Sequence, residues 1–166
     1  MRKIILLSMI TFCTLSYGQT DSICGILPMK NSKICYEEVV VVDNLKATQL
    51  YSNAKIWIAS TFGSAKSVIE SDVENNSLVL KGFLRDNEFA KFGFNLTIQF
   101  KDGRYKYTLT DIYYYFYIED VADIVMKMED GQAIIDCNKP ALKAENLKFK
   151  KFTDNLKNGI NLKNDW

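Results

Sequence analysis

On either side of Asp102-Gly103 the chain alternates oily and wet residues, and few folds accommodate such a pattern. Phe92, Phe94, Leu96, Ile98 and Phe100 alternate with Lys91, Gly93, Asn95, Thr97 and Gln99, the two-residue period of a strand with one buried face. Closed as a two-residue type I′ turn, Asp102-Gly103 sets Lys101 opposite Arg104. Phe100 then lies by Tyr105, Ile98 by Tyr107 and Leu96 by Leu109, so the oily faces of the two strands coincide. Continuing the register puts Asp111 opposite Phe94. A carboxylate among apolar neighbours is costly unless a bulge turns it out or a donor reaches it.

A sheet with one greasy face needs a cover, and the sequence supplies candidates. From Asn44, a helix N-cap candidate, Leu50, Ala54, Trp57, Ile58 and Thr61 recur at helical spacing until Gly63, which predicts an amphipathic helix of about five turns. Burying Leu50, Trp57 and Ile58 contributes ~1.5–3 kcal/mol per side chain. Phe149, Phe152 and Leu156, followed by Asn158-Gly159, predict a final helix from about Ala144 to Asn158. The surplus of lysines from Lys139 onward reads as its solvated face. Ile34 to Val42, rich in β-branched residues, reads as a strand, and Ser67 to Glu70 with Ser77 to Phe83 as a hairpin around Asp72 to Asn76. That turn lacks the mid-loop glycine and closing glutamate of a calcium loop. Glu119 to Asp136 fits either a second hairpin or a partly ordered excursion.

The first eighteen residues read as an address. Arg2 and Lys3 precede an apolar run from Ile4 to Leu15, and Ser16-Tyr17-Gly18 ends in the small residues a signal peptidase requires, so cleavage is expected before Gln19. The run is too short, and too interrupted by Ser8, Thr11 and Thr14, to span ~30 Å of hydrocarbon. A lipoprotein anchor at Cys13 would follow bulky Phe12 rather than a small residue. Expected boundaries are therefore a signal peptide at 1–18, an extended leader at 19–33 and a single domain at 34–166. The mature chain is expected to have no transmembrane span and a periplasmic or secreted location. Loss of two positive charges with the leader turns the formal net charge from +1 to −1, which removes the usual driving force for nucleic-acid binding.

Chemistry is constrained by what is missing. With no histidine among its 166 residues, the chain cannot form a Ser-His-Asp or Cys-His nucleophile or a His-ligated zinc site. No cofactor or metal is expected, and no catalytic residue is assigned. After cleavage three cysteines remain, and an oxidising compartment permits one disulfide. Cys24 and Cys137, in segments outside the expected sheet, are the chosen pair. Cys35 has Glu37 and Glu38 beside it, which raise rather than lower a thiol pKa.

Several phrases resemble a known family: Tyr36-Glu37-Glu38-Val39-Val40, Leu50-Tyr51-Ser52-Asn53-Ala54-Lys55-Ile56-Trp57, Ala65-Lys66-Ser67-Val68-Ile69, Lys81-Gly82 and Lys101 to Thr108. Together they are similar to an uncharacterised family of exported Gram-negative bacterial proteins with a TATA-binding-protein-like fold. The resemblance spans roughly Ile34 to Asp111, and more weakly the last helix. It implies an α+β fold, a curved antiparallel sheet with two helices packed on one face, and no activity.

The run Ile112-Tyr113-Tyr114-Tyr115-Phe116-Tyr117-Ile118 is aromatic on both faces. Tyr113, Tyr115 and Tyr117 would form one row beside Asp111, able to stack on a partner protein, an envelope polymer or a small ligand. A non-catalytic binding module is the expectation. The alternatives are a hydrolase using Asp111, Glu119, Asp120 or Asp123, and an envelope assembly protein that self-associates through a sheet edge.

Overall fold

A computed structural model of the chain describes residues 22–88, 90–116 and 124–162. The expected leader peptide, residues 1–18, lies outside them, as do Tyr117, Glu119, Asp120 and Asp123. Strands β1 (Ser22–Ile23), β2 (Leu27–Lys30) and β3 (Lys33–Ile34) form a small meander where an extended leader was expected. It is anchored by Leu27 and Ile34, both fully buried. β4 (Tyr36–Val41) then enters the main sheet, followed by helix α1 (Ala47–Phe62), β5 (Ile69–Val73), β6 (Ser77–Arg85), β7 (Ala90–Lys101), β8 (Arg104–Phe116) and β9 (Ile124–Lys127). The short helix α2 (Gln132–Ile135) and the long helix α3 (Lys139–Ile160) complete the described chain. This is an α+β fold with one six-stranded antiparallel sheet and two main helices.

The sheet order is β4-β8-β7-β6-β5, with β9 pairing the far half of β8. The central register is the one the alternation predicts: Lys101 opposite Arg104, Phe100 by Tyr105, Ile98 by Tyr107 and Leu96 by Leu109. The turn itself differs from expectation. Of its two residues only Gly103 has a positive φ, 74°, whereas type I′ requires it at both. Asp102 keeps an ordinary φ and points a carboxylate oxygen at the first turn of α1, accepting the Ala47 N–H at 2.8 Å. Gly103 N–H also donates to Leu45 O at 2.8 Å, so the hairpin tip is sewn to the helix start.

Asn44 does not cap α1. The cap is Lys46, whose backbone N–H donates to Gln49 Oε1 at 2.9 Å, while Asn44 turns the chain two residues earlier at φ 69°. The buried face of α1 comprises Leu50, Tyr51, Asn53, Ala54, Trp57 and Ile58; Thr61 is exposed, and Phe62 packs instead on Phe94. α3 is longer than its apolar spacing suggests. Asn138 Oδ1 accepts from Ala141 N–H at 3.3 Å and Pro140 occupies the first turn, where no helical N–H is missed. Leu142 is the sole buried residue in those first turns, so the stripe becomes visible only near Phe149. Gly159 does not end the helix, which continues to Ile160.

Both long helices lie on the greasy side of the sheet. Phe149 packs on Phe92, Phe152 on Phe94, and Tyr51 edge-on against Phe100. Trp57, 4% exposed, joins the helices by packing on Phe152 and donating its indole N–H to Asn155 Oδ1 at 2.8 Å. The hairpin turn before β6 is shorter than expected, at Glu74 to Asn76, and Ser67 belongs to a 3-10 turn rather than to β5. After β9, Met128 to Asp130 form a 3-10 turn and Ala133 to Ile135 are helical. No hairpin forms about Asp130-Gly131; β9 instead pairs back on β8.

Cys24 and Cys137 are joined by a disulfide, Cα atoms 5.9 Å apart, which ties the meander to the approach of α3. Cys35 is buried and unbonded.

Candidate functional site

Asp111 is where the alternation of β8 breaks. Pairing steps from Asn95 with Thr110 to Gly93 with Tyr113, which leaves one extra residue on β8, and Asp111 takes φ 51°. This bulge turns the carboxylate out of the apolar layer and moves Ile112, fully buried, into it. Two donors meet Asp111 on the outer side: the Lys33 ammonium in an ion pair, and Asn95 Nδ2 at 3.1 Å. The Lys33 hydrogen bond, opposed by partial burial, holds its pKa below the ordinary carboxylate value. An aspartate kept ionised in this way accepts hydrogen bonds but is a poor general acid.

Because of the bulge, inward residues of β8 change from odd to even numbers. Tyr114 turns inward, packs at a tilt on Phe92, stacks on Phe116, and donates its hydroxyl to Glu145 Oε1 of α3. Tyr113 and Tyr115 turn to the outer face. Tyr113 lines a cavity of about 260 Å³ with Lys33, Asp111, Lys127 and Glu129. One oxygen of Glu129 is occupied by the Ile34 N–H at 2.7 Å. Tyr115 forms an edge-to-face pair with Phe83 of β6, ring centroids 5.3 Å apart, and Lys91 Nζ sits 4.6 Å from the Phe83 centroid and 5.5 Å from that of Tyr115.

Sequence reasoning singled out the tyrosines but missed Phe83 and Lys91. The available signal was glycine in mid-strand. A Cβ at Gly93 would fall 2.5 Å from a Tyr115 ring carbon and 3.2 Å from one of Phe83, so the bare backbone is what lets both rings lie on the strand. The outer face also carries Val39 (54% exposed), Val41 (68%), Val73, Phe83 (50%) and Val125. Among the described residues neither long helix packs against it.

A second concavity, about 650 Å³, runs between β2, the β4 edge and α3, lined by Met29, Tyr36, Glu38, Tyr107 and Lys157 among others. Its polar groups serve one another. Tyr107 donates to Glu38 Oε2 at 2.9 Å, and Lys157 pairs with the same oxygen at 3.2 Å and with Asp154 at 3.0 Å. Burial, with the Glu38 hydrogen bond second, pushes the Tyr107 hydroxyl up to about 12. At the groove's back, burial and then Glu37 push the Cys35 thiol up, which disfavours the thiolate a nucleophile requires. Among the described residues no three His, Cys, Asp or Glu side chains cluster as metal ligands would.

Comparison with known proteins places this geometry among relatives. Residues 36–115 match the family model described as a domain of unknown function (DUF4468) with TBP-like fold. Two solved structures share the architecture. One is a TBP-like protein from Parabacteroides distasonis, with TM-score 0.63, 20% identity, and 82% of this chain and 97% of that one covered. The other is a DUF4468 family protein from Bacteroides ovatus, with TM-score 0.62, 11% identity, and 86% and 94% covered. At these identities the likeness is one of fold. No curated protein matches the sequence.

Proposed function

Since residues 36–115 match the model of a DUF4468 domain with TBP-like fold, a description that assigns no chemistry, we propose from its surface that the protein is a non-catalytic binding module. In this reading residues 1–18 are removed on export to the periplasm or beyond, and the mature protein engages its partner over the open face of the sheet. The observation that carries the proposal is the contrast between the two faces. One is sealed by α1 and α3; the other leaves Phe83, Val39 and Val41 exposed, with half-buried Tyr115 against Phe83. Exposed apolar and aromatic side chains gathered on one surface mark interaction sites. The Cys24–Cys137 disulfide supports the oxidising location, since such bonds persist outside the cytosol.

A hydrolase has less support. Asp111 is ion-paired, and the other proposed acids, Glu119, Asp120 and Asp123, lie outside the described residues. The TBP-like fold adds no argument for nucleic acid, because fold does not fix function. The test is co-sedimentation of the purified protein with cell envelopes of its source. Wild-type protein should sediment with them, and Phe83→Ser/Tyr115→Ser should stay in solution while melting at nearly the wild-type temperature. Equal sedimentation of both proteins overturns the sheet-face reading.

A further inference from the structure

Two pairs of like charges stand directly opposite each other on the open face. Arg85 of β6 faces Lys91 of β7, and Lys101 of β7 faces Arg104 of β8. All four point away from the helices, because their neighbours Leu84, Phe92, Phe100 and Tyr105 point inward. Like charges in directly opposed positions destabilise a sheet unless something of opposite sign relieves them.

Nearby carboxylates do not provide that relief. At the hairpin end, Asp102 is turned toward the Ala47 N–H. At the other end, Asp86 is taken by Lys148 of α3, and Glu88 makes no ion pair among the described residues. The acids of the face itself are committed as well: Glu37 to Lys30 and Lys106, Glu70 to Lys81, and Asp111 to Lys33. Arg85, Lys91, Lys101 and Arg104 are thus left without an acidic partner among the described residues.

The spacing of the two pairs says what kind of anion fits. They sit at opposite ends of β7, ten residues apart, which is about 33 Å of extended strand. A small ligand reaches one end only. Between them along β7 the outward side chains are uncharged and polar, Asn95, Thr97 and Gln99, offering amide and hydroxyl groups, while the charges on the neighbouring strands are paired with one another. One aromatic step, Phe83 with Tyr115, stands beside the Arg85–Lys91 pair, where the C–H face of a sugar ring could rest. A single-stranded nucleic acid would look for stacking partners along its whole track, and the middle of this face has none.

We propose that the occupant of the open face is an anionic polysaccharide, held at its acidic groups by Arg85–Lys91 and Lys101–Arg104 and at its hydroxyls by the polar row between them. The proposal rests on the sheet-face reading above and names its ligand class.

The test titrates the purified protein with polygalacturonate, with neutral dextran and with a single-stranded oligonucleotide, at about 50 and about 200 mM salt. Expected is binding of polygalacturonate but not dextran, weakening about tenfold or more between the two salt concentrations. Arg85→Ser/Lys91→Ser and Lys101→Ser/Arg104→Ser should each weaken it by about tenfold and together abolish it. The combined variant should melt no lower than wild type, since it removes two repulsions, so loss of binding cannot be ascribed to unfolding. Four results each overturn the proposal: no polygalacturonate binding at low salt, equal binding of dextran, tighter binding of the oligonucleotide, or undiminished binding by the combined variant. If envelope sedimentation still depends on Phe83 and Tyr115 in those cases, only the ligand class is wrong. If that dependence is lost too, the sheet-face reading fails with it.

Discussion

Gly159 of α3 lies against the indole of Trp57 in α1, so close that a Cβ at position 159 would fall 2.7 Å from Trp57 Cγ. Inside a helix, alanine ordinarily stabilises by ~0.5–1 kcal/mol relative to glycine. Here the extra methyl has to displace a buried aromatic ring. Gly159→Ala should therefore lower stability by about 1–3 kcal/mol in urea denaturation, and much of that loss should disappear in a Trp57→Leu background. A stabilised Gly159→Ala would mean the helices do not touch there.

The Cys24–Cys137 disulfide closes a loop of 113 residues. Cross-linking so distant a pair restricts the unfolded chain, and its removal from a domain of this size costs about 2–5 kcal/mol. Cys24→Ser/Cys137→Ser, or wild type in reductant, should show a melting temperature lower by about 5–15 °C. Reductant should leave the melting of Cys24→Ser/Cys137→Ser unchanged, since its remaining described cysteine, Cys35, is unbonded.

Glu37 gives the acid limb of stability a definite place. The hydrogen bond from Lys30, with Lys106 and Thr108 assisting, holds its carboxyl down from 4.5 to about 2. A depressed carboxylate contributes stability that is fully present above its unfolded pKa and is lost as pH falls through the folded one. The window thus runs from about pH 4.5 down to about 2. Because Lys30 and Lys106 are both more than a third exposed, the contribution is about 1 kcal/mol or less. Glu37→Gln should flatten the decline of urea stability across that window, and an unchanged slope would reject the assignment.

Glu145 has the opposite sign. Burial raises its pKa despite the Tyr114 hydrogen bond, and its second oxygen is buried without a partner. A raised carboxyl favours the fold below its unfolded pKa, and this benefit fades as pH rises through the folded one. Glu145→Gln keeps an acceptor for Tyr114 and carries no charge. It should melt higher than wild type at pH 8, the gap closing under acid conditions; a variant destabilised at both pH values would contradict this.

How much of this could be read from residues alone depends on period. The Phe92 to Phe100 alternation is strict and its wet side is solvated, so strand, face and register all follow from it. The Trp57 stripe is equally plain. The meander was harder, because two- to four-residue strands have no period to detect, and Leu27 and Ile34 are buried by partners far along the chain. The start of α3 is lysine-rich with one buried leucine, which hides it behind a solvated pattern. On the open face, Tyr113 and Tyr115 stood out by composition. Phe83 and Lys91 meet Tyr115 across strands, and only the placement of Gly93 hinted at that meeting.

The extra residue at Asp111 has a consequence for length as well as for charge. From Arg104 to Thr110 odd positions are dry, and from Ile112 to Phe116 even ones are. β8 is in effect two phrases of opposite phase spliced at a single joint. Deleting Ile112, next to that joint, would exchange the contents of the two sheet surfaces over the four remaining positions, sending Tyr113 inward and Tyr114 into water. Substitutions in this stretch alter one contact each, whereas a change in its length rewrites them all.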